Sequence, residues 1–227
     1  MLTIPALCWL CAMPLTLAHH GLCSCCTRAL LTSPPGCPQC GLPSMNPRSP
    51  CGRCLQRPPP WQHMVSVGNY RAPLSTLLHR LKFANSTALA SPLSRLLLLR
   101  VLQARRERGL PLPDRLISIP LHRHRQWQRG FNQSALLAAP LARWLGCLHE
   151  PGALVRINTT AVQHTLSARL RARNLKNAFR LELALKGRHI AIVDDVVTTG
   201  STVAEAARLL QRSGAASLQV WCLCRTL

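Results

Sequence analysis

The most informative segment of the chain is HIAIVDDVVTTGST, residues 189–202. Five mostly apolar residues run into Asp194 and Asp195, a loop rich in hydroxyl groups follows, and residues 203–212 have the composition of a helix. A strand, a polar loop and a helix N-terminus in this order can bind phosphate, because free backbone N–H groups and the helix dipole attract an anion. The alternative is an ordinary strand-to-helix turn with capping side chains, but a cap needs one such residue and not a run of them.

The two adjacent aspartates are a costly choice in this chain, which has only seven acidic residues against 28 Lys and Arg. Neighbouring carboxylates at the end of a strand repel one another, and each needs hydrogen bonds or a ligand to stay ionised. The pair therefore indicates a binding site.

Composition limits the class of protein. A chain of 227 residues accommodates one ordinary domain and a small appended one, and an apolar content of 48% supports an aliphatic core. The net charge of +21 favours polyanionic partners, either nucleic acid or phosphate-bearing substrates. No segment reaches the ~20 apolar residues that span a bilayer, and residues 1–18 lack the basic start of a signal peptide. We expect a cytoplasmic protein without membrane insertion.

Four Cys-x-x-Cys pairs lie within the first sixty residues. Two pairs can surround one tetrahedral metal ion, and four cysteine ligands with no open position are typical of structural zinc. A secreted disulfide module and an iron–sulfur cluster are the alternatives, and a reducing compartment disfavours the first. Cys25 competes with Cys23 or Cys26 as a ligand. The spacing predicts two zinc sites, formed by Cys8, Cys11, Cys23 and Cys26 and by Cys37, Cys40, Cys51 and Cys54.

The chain divides at a stiff proline spacer, residues 58–60. We predict a double zinc ribbon over residues 1–60 and a larger α/β domain over residues 61–227, with a parallel sheet and helices on both faces. Pro140 should kink its helix or delay the start of that helix. The periodicity predicts strands over residues 64–70 (at an edge), 115–119 and 217–223. It predicts helices over residues 73–83, 91–108 and about 134–145, the last with Gly146 as its C-cap. Cys222 and Cys224 are predicted to lie in the core.

A second strand end, after residues 115–119, carries a basic polar loop. Residues 121–125 read LHRHR, and residues 129–133 read RGFNQ. Ligands of open α/β sheets sit beyond the C-terminal ends of the strands, so an acidic and a basic loop could face one ligand.

These motifs together resemble the ComF/GntX family. The segment IPLHRHRQWQRGFNQS, followed by IVDDVVTTGST and preceded by four cysteine pairs, is similar to members of that family. They are phosphoribosyltransferase-like proteins linked to competence and to the use of external DNA as a nutrient. The likeness covers nearly the whole chain, including CGRC before RPPPW, and LLHRLKF; RGFNQ is its most diagnostic piece.

The resemblance implies a type I phosphoribosyltransferase-like fold with a site for phosphoribosyl pyrophosphate (PRPP) and Mg²⁺. The two aspartates would hold the ribose hydroxyls, and the loop after them would hold the 5′-phosphate. The implied PRPP-binding residues are Asp194, Asp195, Thr198, Thr199, Gly200, Ser201 and Thr202, with Leu121, His122 and Arg123 at the pyrophosphate position. The implied catalytic residues are Asp194, Asp195, Arg123, Arg169 and Arg173.

The middle of the chain is strongly basic, and residues 163–179 are its most distinctive part. On a helix Arg169 and Arg173 share one face, which is compatible with a solvated surface helix. The family pattern instead implies a mobile cover over the active site, with Gln163, Arg169, Arg173 and Asn174. A third use is a channel for single-stranded nucleic acid, in which arginines contact phosphates and Trp127 or Phe131 stacks on bases. The candidate nucleic-acid residues are Arg125, Arg129, Phe131, Asn132 and Gln133.

Three functions remain open at this point. The first is a DNA-utilisation protein with a ribose-phosphate pocket, with PRPP, single-stranded DNA and proteins of the DNA-uptake machinery as partners. The second is an active phosphoribosyltransferase, but purine-salvage relatives carry an acid where this chain has Thr198, so the acceptor base stays open. The third is a non-catalytic module that binds single-stranded DNA.

Overall fold

The computed structural model of the protein describes residues 6–32, 36–121, 123–157 and 178–226. Its centre is a five-stranded, all-parallel sheet, accompanied by a short antiparallel pair. The strands are β1 (His63–Asn69), β2 (Arg115–Ser118), β3 (Leu148–His149), β4 (Leu154–Arg156), β5 (Phe179–Leu181), β6 (His189–Val197) and β7 (Ser217–Arg225). The large sheet has the order β1-β7-β6-β2-β3, and β4 pairs with β5.

Helices cover the sheet and flank the cysteine pairs. They are α1 (Ser24–Leu31), α2 (Gly52–Gln56), α3 (Leu74–Phe83), α4 (Ala90–Arg108), α5 (Arg123–Arg129), α6 (Gln133–Leu145) and α7 (Ser201–Arg212). Within the described ranges, none of these helices combines the length and the apolar character that crossing a membrane requires.

The sheet is buried on both faces, which explains why β6 begins with an apolar run and not with alternation. Ala191 and Val193 pack in the layer formed with α3, α4 and α6. Ile190 and Ile192 point to the opposite layer, where they meet α7. The α/β fold with helices on both faces is confirmed.

Several local predictions are also confirmed. The first strand lies at an edge of the sheet, since β1 pairs only with β7 in the large sheet. Gly146 caps α6 with a φ of 68°, and Cys222 and Cys224 are fully buried. Of the two effects predicted for Pro140, a delayed helix start is wrong, because Pro140 lies inside α6, which begins at Gln133, and a kink stays a prediction.

The structure differs from the predictions in one loop and at two boundaries, and it contains three short strands that the periodicity does not predict, β3, β4 and β5. The basic loop after β2 contains a short helix, α5. The strand β6 does not end before the aspartates, because its ladder with β7 continues through Asp194↔Cys222 to Val197↔Arg225. Correspondingly, α7 begins at Ser201 and not at residue 203, so that Ser201 and Thr202 lie in its first turn.

The two cysteine units repeat one local pattern. An isolated antiparallel bridge closes the first pair of each unit, Leu7 with Pro14 and Gly36 with Pro43. The second pair of each unit starts a helix, since Cys23 precedes α1 and Cys51 precedes α2. Cys8 joins the main hydrophobic core beside α4. The division of the chain at residue 60 stays a prediction.

Replacing Ala12 by glycine should stabilise the first cysteine unit. Ala12 has a φ of 56° and donates its N–H to Cys8 O (3.0 Å), as Gly41, with a φ of 70°, donates to Cys37 O (2.9 Å) in the second unit. An L-residue with a side chain is strained in this left-handed region, whereas glycine is not. We expect Ala12→Gly to raise the free energy of unfolding by roughly 0.5–1 kcal/mol in denaturant titrations of the metal-loaded protein.

The control for this substitution is Gly41→Ala, which should be destabilising because it introduces the same backbone strain and also places a Cβ 3.0 Å from Met64 Sδ. A lower free energy of unfolding for Ala12→Gly would contradict the strain argument.

Candidate functional site

The acidic pair lies at the C-terminal end of β6, against the first turn of α6. Ser134 Oγ donates to Asp194 Oδ1 (3.0 Å), and Gln133 Nε2 donates to Asp195 Oδ1 (3.2 Å). The backbone N–H of Asp195 also donates to Asp194 Oδ1 (2.9 Å). Lys82, from α3, forms an ion pair with Asp195. Three elements, α3, α6 and β6, therefore converge on two carboxylates.

The RGFNQ segment, which is the diagnostic piece of the sequence, positions these contacts. Asn132 caps α6, because its Oδ1 accepts the N–H of Ser134 (3.0 Å) while its Nδ2 donates to Ile119 O (2.9 Å) just beyond β2. Arg129 donates to Gln133 Oε1 (2.6 Å) and orients the amide that contacts the acidic pair. Gln133 is buried, and its amide is engaged on both sides. Asn132 and Gln133, two of the candidate nucleic-acid residues, thus support the acidic pair.

The surroundings of Asp194 disfavour its charge. Burial, followed by repulsion from Asp195, raises the pKa of the Asp194 carboxyl to about 8. The hydrogen bonds from the Asp195 backbone and from Ser134, and the charge of Lys82, act in the opposite direction without cancelling it. A bound cation, or hydroxyl groups that donate to the carboxylate, would favour the ionised form.

The loop after β6 presents free backbone groups beside this pair. Gly200, the N-cap residue of α7, has a φ of 79°, which glycine adopts without strain, and it has no side chain that could accept an N–H of the first turn. The first turn of α7 contains no acidic residue. Thr199 Oγ1 lies 2.8 Å from Ser201 Oγ and accepts the N–H of Ser201 (3.3 Å). This helix start has the features of an anion-binding site.

The remaining predicted residues divide into three groups. Thr198 is exposed at the start of the loop, Thr202 lies in the first turn of α7, and Leu121 lies just before α5. Arg123 and Arg125 belong to α5, but their side chains are outside the described part of the chain. His122, Gln163, Arg169, Arg173 and Asn174 are also outside the described residues, so the pyrophosphate position and the cover stay predictions.

The sequence interpretation missed Lys82 and Ser134 as neighbours of the acidic pair. Both lie in segments that carry the family resemblance, LLHRLKF and RGFNQS, and this was the signal available. Composition could not show that α3 and α6 bring these side chains to the end of β6.

The eight predicted zinc ligands form two clusters, each with its four sulfur atoms within 4.8 Å of one another. The Sγ–Sγ distances include 3.7 Å for Cys11 and Cys23, 3.7 Å for Cys40 and Cys51, and 3.9 Å for Cys37 and Cys54. Tetrahedral zinc with Zn–S bonds of about 2.3 Å requires sulfur atoms roughly 3.8 Å apart. Both clusters fit structural zinc, and Cys25 is in neither of them.

Backbone donors prepare one thiol in each cluster for a metal. The N–H of Cys23 donates to Cys8 Sγ (3.4 Å), and the N–H of Cys51 donates to Cys37 Sγ (3.3 Å). Burial opposes ionisation of both thiols, but the backbone N–H groups outweigh it and lower the pKa of Cys8 to about 6 and that of Cys37 to about 7. Each cluster therefore has a thiol that ionises near neutral pH, as a metal ligand must.

Comparison with known proteins gives matches over the whole chain. Residues 132–227 match the phosphoribosyl transferase domain family. The chain is 65% identical over 227 residues to a DNA utilization protein YhgH of Escherichia coli O157:H7, covering 100% of both chains. It is 42% identical over 218 residues to competence protein F of Haemophilus influenzae, covering 95% of each. Among solved structures, a purine phosphoribosyltransferase from Pyrococcus horikoshii is similar at 19% identity, with a TM-score of 0.36 over 59% of this chain and 73% of that one.

Replacing Asp194 by asparagine should stabilise the protein, and more so at higher pH. The pKa of this carboxyl is raised from its ordinary value of 3.8 to about 8, so between these pH values the folded protein binds more protons than the unfolded chain. The free energy of unfolding of the wild type therefore falls as pH rises through that window. Asparagine does not titrate and removes this loss, and a change of one in pKa corresponds to about 1.4 kcal/mol.

Urea titrations at pH 5 and pH 8 would measure the difference between Asp194→Asn and the wild type. Asp114→Asn is the matched control, because Asp114 is exposed at the other end of β6, where it accepts the N–H of His189 (2.8 Å). Parallel pH profiles for Asp194→Asn and the wild type would show that Asp194 is not destabilised by burial.

Proposed function

Because this chain belongs to the ComF/GntX family, we propose that it is a phosphoribosyltransferase-family protein of external-DNA uptake or utilisation whose pocket binds PRPP or a related sugar phosphate. The observation that carries the pocket is the adjacency of two unlike groups. One is an acidic pair in which Asp195 is buried and half-buried Asp194 has a raised pKa, and the other is a helix start six residues later whose N-cap is a glycine. A ribose with a 5′-phosphate offers hydroxyl donors to the first and an anion to the second.

Each part of the pocket has a defined task in this proposal. Asp194 and Asp195 accept hydrogen bonds from the 2′- and 3′-hydroxyls and supply the oxygen ligands that Mg²⁺ prefers. The N–H groups at the start of α7, with the hydroxyls of Thr198, Thr199, Ser201 and Thr202, hold the phosphate. Lys82 neutralises part of the acidic charge from the side of α3.

Phosphoribosyl transfer to a nucleobase is the enzymatic alternative. The bond from ribose C1′ to pyrophosphate would break as a ring nitrogen of the nucleobase bonds to C1′ and loses its proton. Arg123, Arg169 and Arg173 would stabilise the charge that develops on the leaving pyrophosphate. Thr198 offers no general base to the acceptor. Pyrophosphate release in the presence of PRPP, Mg²⁺ and individual nucleobases distinguishes transfer from binding.

The double variant Asp194→Asn, Asp195→Asn should lose affinity for Mg²⁺–PRPP in isothermal titration calorimetry. We expect a loss of roughly 100-fold, about 2.8 kcal/mol, because both the ribose contacts and the oxygen ligands of the metal are weakened. Asp114→Asn makes the same chemical change at the far end of β6 and should bind like the wild type. A folded wild-type protein that gives no heat with millimolar PRPP would exclude the proposed pocket.

A second candidate function, contact with single-stranded DNA, rests on the surface of α5. Trp127 is 90% exposed on this helix, whose sequence is RHRQWQR. An exposed aromatic ring can stack on a base, and a helix sequence with three arginines suits phosphate contacts, as in proteins that bind single strands. An interaction with proteins of the DNA-uptake machinery and a cytoplasmic location are further predictions that accompany this function.

Trp127→Ala should weaken binding of a single-stranded oligonucleotide by roughly 1–3 kcal/mol, because one stacked base is lost. The salt dependence of binding should remain that of the wild type, since no charge is removed. Tyr70→Ala, which removes an exposed aromatic ring beyond β1, is the control. If fluorescence anisotropy detects no oligonucleotide binding at low salt, the DNA-contact function is wrong.

A further inference from the structure

Arg225 joins the second cysteine unit to the loop at the acidic pair. It is the last residue of β7 and only 6% exposed. Its Nε donates to Cys40 O (2.9 Å), within the second metal cluster. Its guanidinium also donates to Val197 O (2.9 Å), to Thr198 O and to Thr226 O (2.9 Å). One buried side chain thus bonds both to the backbone of a metal ligand and to the two residues that begin the loop.

A second side chain makes the same connection from the other side. Trp61 is buried, and its Nε1 donates to Gln39 O (2.6 Å), between the cysteines of the third pair. The ring lies against the loop, because a Cβ at Gly200 would be 3.6 Å from Trp61 Cη2. The N–H of Met64 in β1 donates to Pro38 O (2.8 Å). The turn over residues 38–40 is therefore held at three successive carbonyl groups.

Because Arg225 is charged and buried, the connection between the loop and the second cysteine unit depends on the structure of the turn over residues 38–40. Burial lowers the pKa of its guanidinium, and among the described residues only carbonyl groups hydrogen-bond to it, with no carboxylate in contact. A buried donor that loses its acceptor is costly. If the turn at Cys40 became disordered, Arg225 would reorganise, and the carbonyls of Val197 and Thr198 would lose their shared partner.

Among the described residues, the first cysteine unit has no corresponding link to the loop. It packs on α4, where Gly21 lies against Pro92, and Arg80 of α3 donates to Trp9 O (3.3 Å). In the described part of the chain, no hydrogen bond joins this unit to residues 197–202. The molecule thus contains an internal control, a second Cys₄ cluster of similar geometry without the connection to the loop.

We propose that Arg225 is a positioning residue for the loop, and that metal in the second cluster, but not in the first, orders residues 197–200 through it. This inference rests on the proposed function in one respect: the ordered loop is the conformation that binds the phosphate. Coupling between two sites is reciprocal, so a sugar phosphate on the loop should also slow metal loss from the second cluster.

Hydrogen exchange tests the coupling without any ligand. In the zinc-loaded full-length protein, a peptide covering residues 196–203 should exchange about tenfold faster in Cys37→Ser and in Arg225→Met than in the wild type. It should be unchanged in Cys8→Ser. A peptide from α6, residues 134–145, serves as the folding reference and should exchange as in the wild type. Equal exchange of the loop peptide in the wild type and in a folded Arg225→Met variant would overturn the proposal.

A folding failure of Cys37→Ser leaves the proposal testable through Trp61→Phe. This variant removes the hydrogen bond to Gln39 and shortens the ring that lies against Gly200, and loop exchange should still rise, by a few-fold. Unchanged exchange in both Trp61→Phe and Arg225→Met would refute the connection.

Ligand and metal measurements then separate the coupling from the proposed function. Arg225→Met should weaken Mg²⁺–PRPP binding about tenfold, whereas Arg212→Met, an exposed arginine at the end of α7, should not. Saturating Mg²⁺–PRPP should slow the release of one of the two zinc ions, the ion in the second cluster, to a chromophoric chelator. Cys8→Ser, which alters the first cluster, should retain this slowly released ion. A wild type that binds no PRPP but shows the exchange differences would refute the pocket and support the coupling. Binding with equal affinities for Arg225→Met and the wild type would refute the coupling and support the pocket.

Discussion

Two adjacent carboxylates held at the buried end of a parallel strand are the constraint around which the rest of the molecule is arranged. Burial and the charge of Asp195 work against ionisation of Asp194 and raise the pKa of its carboxyl to about 8. The helix α6 supplies Ser134 and Gln133, α3 supplies Lys82, and the Asn132 cap fixes the helix end that carries the first two. These groups restrain the carboxylates without neutralising them fully, and the remaining imbalance is what a ligand can satisfy.

The sequence predicts those parts of this arrangement that local chemistry determines. Runs of apolar residues predict four of the strands, β1, β2, β6 and β7, Gly146 predicts a helix end, and the Cys-x-x-Cys spacing predicts both Cys₄ clusters. The features that the sequence does not predict are those determined by long-range pairing of strands. The strand β6 continues past its aspartates because β7 offers a partner as far as Arg225, and no local pattern contains that information.

The partners of individual side chains likewise depend on contacts between segments that are distant in the sequence. Lys82 looks like one of many cations on a basic chain until α3 is placed over the end of β6. Cys25 is chemically equal to its neighbours, and only the direction in which α1 leaves Cys23 excludes it from the cluster. RGFNQ could be recognised as diagnostic from the letters alone, whereas its task of supporting the acidic pair required the fold.

The two cysteine units follow one plan of bridge, turn and helix, yet they face different neighbours. One rests on the helical layer of the core, and the other rests against Trp61 and Arg225. A change of backbone path therefore has a different reach in the two units. At Ala12 it alters the first unit and its packing, whereas at residues 38–40 it also displaces the carbonyl acceptors of Trp61 and Arg225.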